Sequence, residues 1–92
     1  ELYPRFAEIY YNRGLACRQK DDIPNAVANY SQAIRLDPKY LGAYANRGFA
    51  NYKQHQLDRA LADFDAILQI DPNNADARKS KDVIERTLSD GK

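Results

Sequence analysis

The chain has one cysteine, one histidine, four glycines and a net charge of only +1 across 92 residues. Each scarcity removes a class of function. A single cysteine forms no internal disulfide, which excludes a small stapled secreted scaffold. A metal centre needs several converging ligands, and Cys17 with His55 forms no such cluster; neither a metal nor a cofactor is expected. A nearly balanced charge lacks the strong basic excess of a nucleic-acid footprint, so no nucleic-acid partner is expected. No apolar run approaches the ~18 residues that read as a bilayer span, so direct membrane insertion is not expected either. The first residues carry no signal-peptide pattern. No glycine-rich phosphate loop and no nucleophile–base pairing can be assembled, so no catalytic residue is expected.

Isolated motifs reduce to structure. Asp63-Phe64-Asp65 lacks the Gly and terminal Glu of a calcium loop and reads as two helix-surface acids. Asn29-Tyr30-Ser31 matches a glycosylation acceptor, but Tyr30 falls mid-helix. Cys17 lies on the packing side of its helix as an inert thiol, and His55 sits in an exposed turn.

What the chain does have is repetition. Residues 41–74, LGAYANRGFANYKQHQLDRALADFDAILQIDPNN, align without a gap on residues 7–40, AEIYYNRGLACRQKDDIPNAVANYSQAIRLDPKY. Tyr44 falls on Tyr10, Asn46-Arg47-Gly48 on Asn12-Arg13-Gly14, Ala60 on Ala26, and Asp71-Pro72 on Asp37-Pro38. Leu61 for Val27 and Phe64 for Tyr30 are conservative. A fixed 34-residue period marks stacked units that bury their apolar faces only against neighbours. Leu2-Tyr3-Pro4-Arg5-Phe6 repeats the order of Leu36 to Tyr40, which predicts the remnant of a preceding turn or repeat over residues 1–6. Together with Glu1 in place of Met, it predicts a segment of a longer protein.

These residues resemble the tetratricopeptide repeat (TPR) family, whose pattern places an aromatic, Leu-Gly, Tyr, Ala, an aromatic and Pro at set offsets. The places hold Tyr44, Arg47-Gly48, Asn51, Ala60, Phe64 and Pro72 in one copy. In the other they hold Tyr10, Arg13-Gly14, Cys17, Ala26, Tyr30 and Pro38. Arg replaces the usual Leu twice, and neither Cys17 nor Asn51 is the usual Tyr. The resemblance implies an all-α fold of antiparallel helical hairpins stacked in a right-handed α-solenoid. One domain is expected over 1–92, with repeats at 7–40 and 41–74 and a capping helix at 75–88.

Helices are predicted over about Ala7–Lys20, from Pro24 to before Asp37, over Leu41–Gln54, Asp58–Ile70 and Ala75–Leu88. Pro24 suits a first helical turn because its missing N–H would be unsatisfied there. Ala26, Val27, Tyr30, Ala33 and Ile34 share one side of the second helix, matched by Ala60, Leu61, Phe64, Ile67 and Leu68. Gly14 and Gly48 predict close helix–helix approach. Asp21 and His55 stand where the family usually has Gly and are expected at positive φ. The last helix offers a modest strip of Ala77, Ser80, Ile84 and Leu88, and Ser89 to Lys92 should fray. Arg13 and Arg47 replace an apolar residue, so both are expected partly buried, Arg47 paired with Asp63. Arg13 faces Asn29 and must find another acceptor.

In the resembled family, the second face of each first arm lines a concave groove that binds partner segments. That places Tyr11, Asn12, Leu15, Arg18, Asn46, Phe49, Tyr52 and Lys53 in the groove, with a contribution from Lys79. A protein or peptide partner is implied. One family mode grips a terminal carboxylate with Lys and Asn, then Asn, then two basic residues. Here those places hold Tyr11 and Leu15, then Asn46, then Asp76 and Ser80; only Asn46 agrees, which speaks against chaperone tails. The alternative is a structural unit that stacks with further copies or with the rest of a longer array. Two repeats plus a cap is short of the three or so that stability needs, so self-association through the N-terminal edge around Phe6, Tyr10 and Val27 is also expected.

Overall fold

A computed structural model describes residues Tyr3 to Asp90. Five helices follow one another, α1 (Pro4–Gln19), α2 (Ile23–Leu36), α3 (Leu41–Lys53), α4 (Leu57–Ile70) and α5 (Ala75–Asp90), with no strand among the described residues. Each packs chiefly against its sequence neighbours: α1 with α2, α2 with α3, α3 with α4, α4 with α5. The body is flat, 41 × 30 × 16 Å.

Two ends differ from expectation. α1 begins at Pro4 rather than near Ala7, so Pro4, Arg5 and Phe6 form its first turn. Proline's fixed φ and missing N–H suit that position, and the Ala7 N–H closes the turn on Tyr3 O at 2.9 Å. At the other end α5 continues through Ser89 and Asp90 instead of fraying, because Leu88 still packs on the core beneath it. Glu1, Leu2, Gly91 and Lys92 lie outside the described residues.

The hairpin turns are closed by left-handed residues. Asp21 and His55 both have φ of 60°, which reverses the chain so that Asp22 N–H reaches Cys17 O and Gln56 N–H reaches Asn51 O, each at 2.8 Å. These are the long bonds of a Schellman ending. Asp22 then caps α2, accepting from Asn25 N–H, and Asn74 caps α5, its Oδ1 accepting from Ala77 N–H at 2.9 Å.

Within each hairpin a glycine meets a ring. A Cβ on Gly14 would lie 2.5 Å from the Tyr30 ring, and one on Gly48 would lie 2.8 Å from Phe64. Only a residue without a side chain lets the buried rings of α2 and α4 lie against the facing first arm. Around Phe64, the residues Ala60, Ile67, Ala77 and Ile84 form one buried cluster; Ala7, Ala33 and Ala43 form another between α1, α2 and α3. Ala26 and Tyr30 are fully buried as well. Tyr10 and Tyr44 are half-buried, Pro38 and Pro72 exposed in the turns, and the Tyr44 hydroxyl donates to Pro38 O at 3.0 Å.

The two arginines part company. Arg47 Nε lies 3.1 Å from both Asp63 oxygens, and its Nη2 donates to Asp63 Oδ1 at 2.6 Å. Asn51 Nδ2 donates to the other Asp63 oxygen at 3.1 Å, and Arg47 Nη1 reaches across to Ser31 Oγ on α2 at 3.0 Å. The expected pair therefore forms, and Asp63, only 3% exposed, is not a surface acid. Asp65 remains on the outer side, 2.9 Å from Lys81 Nζ. Arg13 is exposed rather than partly buried. It lies over the Tyr10 ring, 5.2 Å from its centroid. Asn29 Nδ2 donates to Asn25 O and Cys17 Sγ, and an uncharged amide opposite Arg13 does not hold the guanidinium inward as the Asp63 carboxylate holds Arg47.

Candidate functional site

The inner faces of α1, α3 and α5 form a groove with two unlike halves. Between α1 and α3 the surface is tied shut by polar bonds. Asn46 Nδ2 donates to Tyr11 Oη at 2.9 Å and to Gly42 O at 3.0 Å, while Arg18 Nη1 donates to Asn46 Oδ1 at 2.9 Å. Tyr11 packs against Tyr40, with ring centroids 4.9 Å apart, and against Tyr30 at 5.9 Å. Gly42 makes room, since a Cβ there would stand 3.2 Å from the Tyr11 hydroxyl. Tyr11 and Leu15 are half-buried, whereas Asn12 and Arg18 are exposed.

Between α3 and α5 the surface is open. Phe49 is 50% and Tyr52 38% exposed, and Phe49 stands edge-on to the buried Phe64 at 5.3 Å. With Lys79, Ser80, Val83 and Ile84 they line an apolar cleft of about 210 Å³. An adjoining hollow runs along Ala45 and Leu41 to Asp76. Among the described residues Lys79 has no ion-pair partner, and Lys53 is exposed at the end of α3. No group of three or more His, Cys, Asp or Glu is placed to hold a metal among the described residues, and none of their helices is long and apolar enough to cross a membrane.

The eight expected groove residues are thus divided. Phe49 and Tyr52 line the cleft; Tyr11, Arg18 and Asn46 join in the polar tie; Asn12, Leu15 and Lys53 belong to neither set of contacts. Val83 lines the cleft and was missed by the sequence reading. The signal was available: Val83 lies one 34-residue period after Phe49, as Lys79 and Ser80 do after Ala45 and Asn46. Val27, expected at the N-terminal edge, instead lines a crevice beside Ser31, Arg47 and Asp63, because its place on α2 turns toward α3 and α4.

No curated protein sequence matches the chain. Solved structures match it closely. The first TPR of Spaghetti (RPAP3), bound to the HSP90 peptide SRMEEVD, is 26% identical with a TM-score of 0.84, covering 90% of this chain and 66% of that one. The second TPR domain of human RPAP3, in complex with the HSP70 peptide SGPTIEEVD, is 32% identical at a TM-score of 0.79, covering 86% and 66%. The TPR2B domain of yeast Sti1, in a pHsp70 complex, is 30% identical at 0.83, covering 91% and 67%. The chain therefore spans about two thirds of the length of these domains. A family profile described as TPR repeat matches residues 14–55, and one described as tetratricopeptide repeat matches residues 42–74. With the hairpins, their glycine–ring contacts and these matches agreeing, the chain belongs to the tetratricopeptide repeat family.

Proposed function

We propose that the chain is a non-catalytic protein-interaction module whose α3–α5 cleft takes an apolar segment of a partner protein. The observation that carries this is the half-exposed pair Phe49 and Tyr52 over a cleft with almost no polar lining. Exposed aromatics clustered on one face mark interaction sites more often than scattered ones do. Lys79 at the margin favours an acidic residue beside the apolar one. The similar domains hold HSP90 and HSP70 peptides, which supports a peptide as occupant. A terminal carboxylate is not the anchor: Asn46 is already engaged on both its amide atoms, and Asp76 would repel it. Peptides selected by display on the chain test the reading. Phe49→Ala with Tyr52→Ala should weaken their binding about 30-fold, the loss of roughly one hot spot, while the thermal midpoint stays within about 2 °C. Collapse of the fold instead assigns both rings to the core.

A second reading, a repeat unit that stacks on a further helix, is favoured by the outer face of α1, where Phe6 and Ile9 stand 54% and 42% exposed.

A further inference from the structure

The internal repeat shows what covers the outer face of a first arm. Tyr40, at the N-cap of α3, and Ala43 and Arg47 within it face α2: Ala43 is fully buried in one cluster with Ala33, Tyr40 packs on that cluster, and Arg47 reaches Ser31 of α2. One period earlier stand Phe6, Ile9 and Arg13 on α1, all three exposed, with no helix packed over them among the described residues. The likeness extends to the cations. Arg47 lies over Tyr44 at 5.8 Å and Arg13 over Tyr10 at 5.2 Å, so both guanidinium groups are held by their own tyrosine. Arg47, however, is neutralised by Asp63 from within its hairpin, whereas Asn29 occupies that place opposite Arg13 and offers no charge.

We infer that the outer face of α1 is a docking surface for an amphipathic helix that resembles α2 but carries a carboxylate where α2 has Ser31, opposite Arg13. This rests on the stacking reading and names its partner. Charge is the discriminating element. An arginine that becomes covered by a neighbouring helix must be paired, and the hairpin itself supplies no acid. Ile9 replaces Ala43, so the partner also presents a small residue there, as Ala33 does on α2.

The test places such a helix by tethering. Residues 7–36 are duplicated in front of Tyr3, which preserves the 34-residue period, and the added copy carries Ser31→Asp or Ser31→Lys. The expected result is that Ile9 and Phe6 leave solvent, seen as protection of their NMR signals, and that the Asp form melts roughly 3 to 6 °C above the Lys form. Arg13→Gln in the original segment should erase that difference. Equal midpoints for the Asp and Lys forms, with Ile9 still protected, overturn the acidic partner but leave stacking intact. An added hairpin that leaves Phe6 and Ile9 in solvent overturns both. Sedimentation of the 92-residue chain as a dimer, dissociated by Ile9→Lys, makes a second copy the occupant and also overturns the proposal.

Discussion

Single side chains set the tolerances of this fold. Gly14 and Gly48 sit mid-helix, where alanine would ordinarily gain about 1 kcal/mol. The ring contact reverses the sign: with Phe64 2.8 Å from the added Cβ, Gly48→Ala should lose about 1–3 kcal/mol in urea unfolding, the cost of overpacking. Tyr30 offers the opposite case. Its hydroxyl is buried without a hydrogen-bond partner, while the equivalent place in the next repeat is Phe64. Tyr30→Phe should therefore gain about 1 kcal/mol. Burial also holds the Tyr30 phenol above its ordinary value of 10.0. Stability that is complete below that value is lost as pH rises through the raised one, and the phenylalanine variant should lose less of it in alkaline melts. Asp21 and His55 occupy left-handed backbone that glycine adopts freely. These turns were legible in the sequence because few other residue types tolerate such a φ.

At the scale of the helix pair, burial decides which ion pair matters. Asp63 is 96% covered at its side chain and serves both Arg47 and Asn51. Asp63→Ala should cost about 3 kcal/mol, the low end for breaking a buried pair, because the Arg47 side chain keeps 24% of its exposure. Lys81→Ala, which removes a more exposed and solvent-screened pair, should cost far less than Asp63→Ala; chemical denaturation of the two variants separates them. The Arg47–Asp63 pair was readable because a fixed period and short turns bring the two arms to one height. Arg13 was not: with Asn29 in the place of Asp63, no carboxylate holds its guanidinium in the hairpin, and it lies exposed over the Tyr10 ring. The groove was half legible for a related reason. Residue spacing puts Tyr11, Asn46 and Phe49 on inner faces, but it does not say that Asn46 will bind Tyr11 and Arg18 and so close one half.

Across the whole molecule, contacts run from each helix to the next and seldom further, which makes stability local. Amide exchange should be slowest in α2, α3 and α4 and faster toward both ends. Ile84→Ala should cost about 2–4 kcal/mol by leaving a cavity beside Phe64, with faster exchange appearing first in α5. The same variant should weaken any ligand of the cleft, since Ile84 forms part of its wall. The thin body, 16 Å across its shortest axis, carries one more consequence. A compact globule buries a larger share of its surface as it grows, so its interior becomes drier with size. A slab two helices deep has no such reserve. Lengthening it by a hairpin adds interior and exterior in the same proportion, and the denaturant m-value should climb in equal steps with every hairpin that remains cooperatively coupled.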